Sequence, residues 1–228
     1  MSCQNSHNAK FTFVHVNTKF RSNYYNTSSS DFNYQFPNSY SNVTSLKLDS
    51  ICIPNTWYLF SSKKKNNVFF IETNDSCSGV ELHQIIIPDG NYSIEQLETF
   101  LNKTYFYLAG NDNALKNIKF SIHENSLKSI FSVVDGTSSS YNFTLKFAHS
   151  ELKNISFGAG WILGFRYAEY LDVTSYIMSE GLFDGGGDRY VYFCLDDFNH
   201  SSLNPHEVCF EKYSANESVL AKIYLTDG

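Results

Sequence analysis

Short runs in which apolar and polar residues alternate recur along most of the chain. A period of two places successive side chains on opposite faces of a pleated strand, so these runs predict half-buried strands. Phe11 to Val16 reads as the first of them. Phe32, Tyr34 and Phe36 alternate until Pro37 stops the run. Val43 to Ile53 alternates over a longer stretch, with one slip that a bulge would absorb. Further strands are predicted at Val68 to Ile71, Val80 to Ile87, Ile118 to Ile122 and Ser129 to Val134, then at Tyr141 to Phe147, Tyr190 to Leu195 and Val219 to Leu225. One segment changes period. Ser93 followed by Gln96 forms a capping-box pattern, and Ile94, Leu97, Phe100 and Leu101 fall at helical spacing, which predicts a helix ending near Lys103. Gly158 to Phe165, around Trp161, suits a short helix. Many short strands, one clear helix and no βαβ rhythm predict an all-β fold, an antiparallel β-sandwich of the single jelly-roll type. The domain organisation expected is an N-terminal arm with a first strand over 1–18, then one jelly-roll domain over 19–228. Asp227-Gly228 is a hairpin-turn signal with no return strand after it, so a missing strand or one supplied by a partner is expected there.

Composition sharpens this picture. Of 228 residues, 42% are hydrophobic and 17% aromatic while only 18% are charged, so the chain has enough apolar surface to offset its ordering entropy. A net charge of −6 argues against a dedicated nucleic-acid binder. No apolar run approaches the length of a membrane helix, and the start lacks the basic and apolar regions of a signal peptide, which predicts synthesis in the cytosol. On that reading the Asn-x-Ser/Thr triplets, such as those at Asn26, Asn74, Asn199 and Asn216, carry no glycan. The 5 cysteines, Cys3, Cys52, Cys77, Cys194 and Cys209, form no CxxC pair. Cys52 and Cys194 lie in apolar runs and are expected to be buried, reduced thiols.

Catalytic chemistry finds little support. Asp184 and Asp188 flank three glycines, with Arg189 next and Glu180 before them, but their spacing departs from the EF-hand loop, and a purely structural glycine loop is expected. Asp196-Asp197 read as a strand-end turn, and Lys63-Lys64-Lys65 as a solvated loop. The seven histidines, His7, His200 and His206 among them, show no metal-binding spacing, and no GxSxG elbow occurs. The expectation is a protein that is not an enzyme and needs no metal or cofactor.

Three separated segments carry a resemblance: Phe20 to Phe32 running on to Ile53-Pro54-Asn55-Thr56-Trp57-Tyr58; Ile87 to Leu97; and Gly160 to Arg166 followed by Ser179 to Phe198. They resemble the small single-jelly-roll capsid proteins, of penton or minor capsid type, of nucleocytoplasmic large DNA viruses. The resemblance implies a structural protein of the virion, made in the host cytoplasm. Its partners would be copies of itself in a homopentamer at the five-fold vertex, the major capsid protein and other minor capsid proteins, with no nucleic acid and no membrane span. One sandwich suits the chain length, and cyclic symmetry closes a ring from identical contacts. Trp161, Phe165, Arg166, Asp184, Asp188 and Arg189 are the candidate subunit contacts, since aromatic residues and arginine are enriched in interfaces. Two alternatives stand beside this: a minor capsid protein cementing capsomers, and a glycan-binding sandwich with Tyr24-Tyr25 or Trp57-Tyr58 as its platform.

Overall fold

A computed structural model describes residues 10–54, 56–75, 79–110, 113–150, 152, 154–195, 209–210, 213–214 and 219–225. The polar arm before Lys10, Cys3, Cys77, Asp196-Asp197, His7, His200, His206 and the Asp227-Gly228 turn lie outside the described residues, as do the side chains at 209–210. The chain forms two compact units, Met1–Lys47 and Leu48–Gly228.

The first unit is held by a local knot. Arg21 donates from Nε to the Thr27 Oγ1 at 3.1 Å, from Nη1 to the Thr18 carbonyl at 2.9 Å and from Nη2 to the Tyr24 carbonyl at 3.1 Å. Its guanidinium also lies 4.0 Å from the centre of the Tyr24 ring. Two 3-10 turns, Thr18–Phe20 and Tyr24–Asn26, flank this residue. The strands expected at Phe11 to Val16 and Phe32 to Phe36 are absent, and no strand forms over Val43 to Ile53. The alternation is real, but a strand also needs an edge to pair with, and these segments have no ladder partner in the isolated chain. Their side chains stay exposed, Phe11 by 84% and Phe13 by 71%.

The second unit is mostly β, with antiparallel sheets and few helices, as in an all-β sandwich. A four-stranded sheet has the order β2-β1-β5-β6, with β1 Val68–Asp75, β2 Gly79–Ile86, β5 Asn142–Lys146 and β6 Glu169–Val173. A three-stranded sheet has the order β3-β4-β7, with β3 Ile118–Ile122, β4 Ser129–Val133 and β7 Tyr176–Met178. β8 Tyr190–Cys194 pairs with β11 Val219–Tyr224, and β9 Cys209–Phe210 with β10 Tyr213–Ser214. Two short helices complete it, α1 Ile94–Thr104 and α2 Ala159–Ile162. The capping box of α1 is present in full: the Gln96 amide donates to Ser93 Oγ, and the Ser93 amide donates to Gln96 Oε1. Such a cap contributes about 1 kcal/mol.

Alternation decides which side chains enter the core. Phe69 and Ile71 of β1, Ile85 of β2, Phe143 and Leu145 of β5 and Tyr170 of β6 all point inward. They meet Ile118 and Phe120 of β3, Phe131 of β4, and Leu97 and Leu101 of α1. Phe131 sits at the crossing point. Its ring centre lies 4.9 Å from Phe120, 5.8 Å from Phe165 and 5.9 Å from both Phe69 and Phe106. The outer face of the larger sheet is polar at its centre, where Lys146 of β5 reaches Glu72 of β1 at 2.7 Å.

β2 is an edge of that sheet. One feature closes its C-terminal end: the Tyr105 hydroxyl donates to the Ile86 carbonyl at 3.0 Å and accepts from the Ile86 amide at 3.2 Å. Cys52 and Cys194 are exposed thiols, not buried ones. Cys52 lies in the strandless Val43 to Ile53 segment, and Cys194 ends β8 in a ladder only two strands wide.

Candidate subunit-contact site

The segment from Gly158 to Arg189 carries all six contact residues predicted from sequence, and the structure treats them differently. α2 is one turn long, because Gly164 follows it with φ +93° and sends the chain back. The reversal lays Gly164 against Gly181, whose amide donates to the Gly164 carbonyl at 2.8 Å. The Asp184 amide then donates to the Ile162 carbonyl at 2.8 Å, so the α2 turn and the glycine-rich segment run side by side.

This pairing produces a Trp–Arg platform. The Arg166 guanidinium stacks 4.0 Å from the centre of the Trp161 ring and donates from Nη1 to the Trp161 carbonyl at 3.0 Å. It lies over Gly181, where a Cβ would run into the guanidinium. Trp161 remains 40% exposed, and Phe157 before it and Leu182 beyond Gly181 are exposed as well. Stacking fixes a side chain that otherwise has high rotamer entropy, so the platform is held in one arrangement. Phe165 behaves otherwise. It is 1% exposed and stacks on Phe147 at 5.0 Å, which makes it core and removes its side chain from any surface contact. Its place in an apolar run around Trp161 gave no sign of this, because the turn at Gly164 reverses the face.

Glu180 and Tyr170 brace the platform from behind. The Tyr170 hydroxyl donates to Glu180 Oε2 at 2.6 Å, and the Arg166 amide donates to the same oxygen at 3.0 Å. Sequence reasoning noted Glu180 only as a neighbour of the glycine loop and did not find Tyr170. Burial, and then the bond to Glu180, push the Tyr170 phenol up to about 12 from its ordinary 10.0. The folded state therefore keeps a proton that the unfolded chain releases above pH 10. The associated stability is complete below pH 10 and falls away as pH rises through about 12. Tyr141, also raised by burial, acts in the same direction. Denaturant midpoints for the parent and Tyr170→Phe, measured from neutral to alkaline pH, are expected to converge as pH climbs from 10 towards 12. Parallel curves would remove this linkage.

The glycine loop is tied by its own charges. Asp188 pairs with Lys64 at 2.6 Å, which places the middle of the Lys63-Lys64-Lys65 run against it. Asp184 accepts from the Gly186 amide at 3.3 Å and faces Arg189 at 3.9 Å. These pairs are exposed and contribute little stability. Both carboxylates are directed at groups of the chain itself. Among the described residues no group of three or more His, Cys, Asp or Glu could hold a metal ion, and no helix is long and apolar enough to cross a membrane. Tyr24 and Tyr25, the other aromatic pair noted in the sequence, stand edge to face at 5.5 Å and are both exposed. No protein-family model matches the chain, and no curated protein or solved structure is similar to it.

Proposed function

We propose that this chain is a structural capsid protein of a large icosahedral double-stranded DNA virus, built on a single jelly roll and forming the homopentameric penton at the five-fold vertex. The observation that carries the reading is the contrast between its two units. Leu48–Gly228 buries a dense aromatic core, whereas Met1–Lys47 exposes Phe11, Phe13, Phe20 and Tyr25. A chain that leaves such residues uncovered completes its burial in company, and that is the behaviour of an assembly subunit. Antiparallel sheets of single-sandwich size, and the exposed Trp161–Arg166 platform, suit identical contacts repeated around a ring. The virion as the setting rests on the resemblance of the Phe20 to Phe32, Ile87 to Leu97 and Gly160 to Arg166 segments to small capsid proteins.

Native mass spectrometry of the full chain over a concentration series tests this. A species at five times the monomer mass is the expected result. A monomer at every concentration would overturn the penton reading and favour a cement protein bound to unlike capsid chains.

A further inference from the structure

We propose that Phe11 to Val16 of one copy pairs as an antiparallel strand on the free edge of β2 in a neighbouring copy. This rests on the assembly reading above and adds the surfaces through which copies join.

The acceptor is defined by hydrogen-bond parity. In an antiparallel pair, alternate residues turn their amide and carbonyl towards the neighbour or away from it. Ile87 donates to the Asn67 carbonyl on the β1 side at 2.8 Å, while both backbone groups of Ile86 are taken by Tyr105 on the other side. Gln84, Leu82 and Val80 share the parity of Ile86, so their amides and carbonyls point off the edge. Beside them stand two apolar side chains that the chain does not cover, Val80 at 65% and Leu82 at 59% exposure.

The donor has matching properties. Phe11-Thr12-Phe13-Val14-His15-Val16 is rich in residues that favour strands, contains no proline and has no ladder of its own. Six residues extend about 20 Å, enough to cover Val80 to Gln84. Phe11 and Phe13 fall on one face at the spacing of Val80 and Leu82, where cross-strand aromatic–aliphatic pairs form.

Three observations make the occupant a second copy. Phe11 to Val16 and the β2 edge lie on different parts of the same chain, so the contact is head to tail and generates a ring where the rotation between copies closes. Aromatic side chains bury about 150–250 Å² each, so covering Phe11, Phe13, Phe20 and Tyr25 approaches the ~800 Å² per partner of a stable interface. Charge is also complementary. Met1–Lys47 holds Lys10, Lys19, Arg21 and Lys47 against the one acid Asp31, while the other 13 bases of the chain face 22 of its 23 acids in Leu48–Gly228.

Two full-length variants test the exchange. Val14→Pro spoils the donor in a segment without secondary structure, so the body keeps its fold. Leu82→Lys blocks the acceptor on an exposed edge position. Each alone is expected to weaken self-association about tenfold or more by native mass spectrometry. An equal mixture should recover a mixed dimer, because the intact arm of Leu82→Lys can reach the intact edge of Val14→Pro, and it should grow no further, because the arm and edge left over are both spoiled. Hydrogen exchange should show Phe11 to Val16 protected in the parent oligomer only. Parent-like oligomers from both variants would overturn the exchange while leaving the assembly reading in place. Weakened variants without recovery on mixing would assign the arm to its own chain, and a monomeric parent would overturn both proposals. Circular dichroism matching the parent guards the Leu82→Lys result against a folding defect.

Discussion

Phe131→Ala is expected to cost about 3–5 kcal/mol of stability, the range for removing a fully buried aromatic from a core. The position is severe because the ring is shared. Phe131 touches Phe69 of the larger sheet, Phe120 of its own sheet, Phe106 beyond α1 and Phe165 beyond α2. These four rings sit on elements that cannot all move inward together, so the cavity would persist and the transfer and void terms would both apply. Domains of this kind hold a total of only about 5–15 kcal/mol, so the variant would be close to unfolding. Urea denaturation followed by near-UV circular dichroism measures the loss. Phe157→Ala is the control, since that ring is exposed, and its midpoint should stay within about 0.5 kcal/mol of the parent. Equal losses in the two variants would contradict the packing described.

Gly164→Ala is expected to rank second, at about 2–4 kcal/mol, by a different route. The residue has φ +93°, where an L side chain is strained by about 1–2 kcal/mol. A Cβ there would also overlap the Gly181 carbonyl oxygen, which is backbone and cannot swing aside. Relief would require opening the bond from the Gly181 amide to Gly164, and with it the stack of Arg166 on Trp161. The variant should therefore lose stability and, on the proposed assembly, self-association, with Trp161 fluorescence shifted towards that of a solvated indole. An unshifted emission spectrum with a parent-like midpoint would show that the turn tolerates a side chain.

The strands that were legible in the sequence are those whose alternation is matched by a partner nearby. Val68 and Val80 begin runs joined by a short connection, and β1 and β2 pair from Val68 with Ile86 to Asp75 with Gly79. The α1 start was legible because the capping box is a local contract between Ser93 and Gln96. β6 was missed for an equally local reason. Asp172 adopts φ +49°, and the register slips between Phe143 and Leu145 opposite it, so the buried positions Tyr170 and Val173 are three apart and break the period of two. β7 has three residues, too few to show a period. The failure at Phe11 to Val16 runs the other way. Its pattern states that one face wants covering, but a pattern holds no information about what covers it. Within the site, Trp161 and Arg166 were chosen by residue type and the structure brings them together. Phe165 was chosen for the same reason and belongs to the core, because residue type does not register the reversal at Gly164.

The Tyr105 hydroxyl on Ile86 sets a limit on growth. An open sheet edge is a template for unlimited strand stacking, the route by which β-proteins become fibrils. Here a single phenol from beyond α1 acts as an end-stop, satisfying both outward groups of Ile86 and leaving a bay only a few residues long. A long alien strand cannot lie flush along β2 without displacing that phenol. The edge thus discriminates by length: a short strand fits beside Val80 to Gln84, and a long one is turned away, which guards the protein against open-ended stacking.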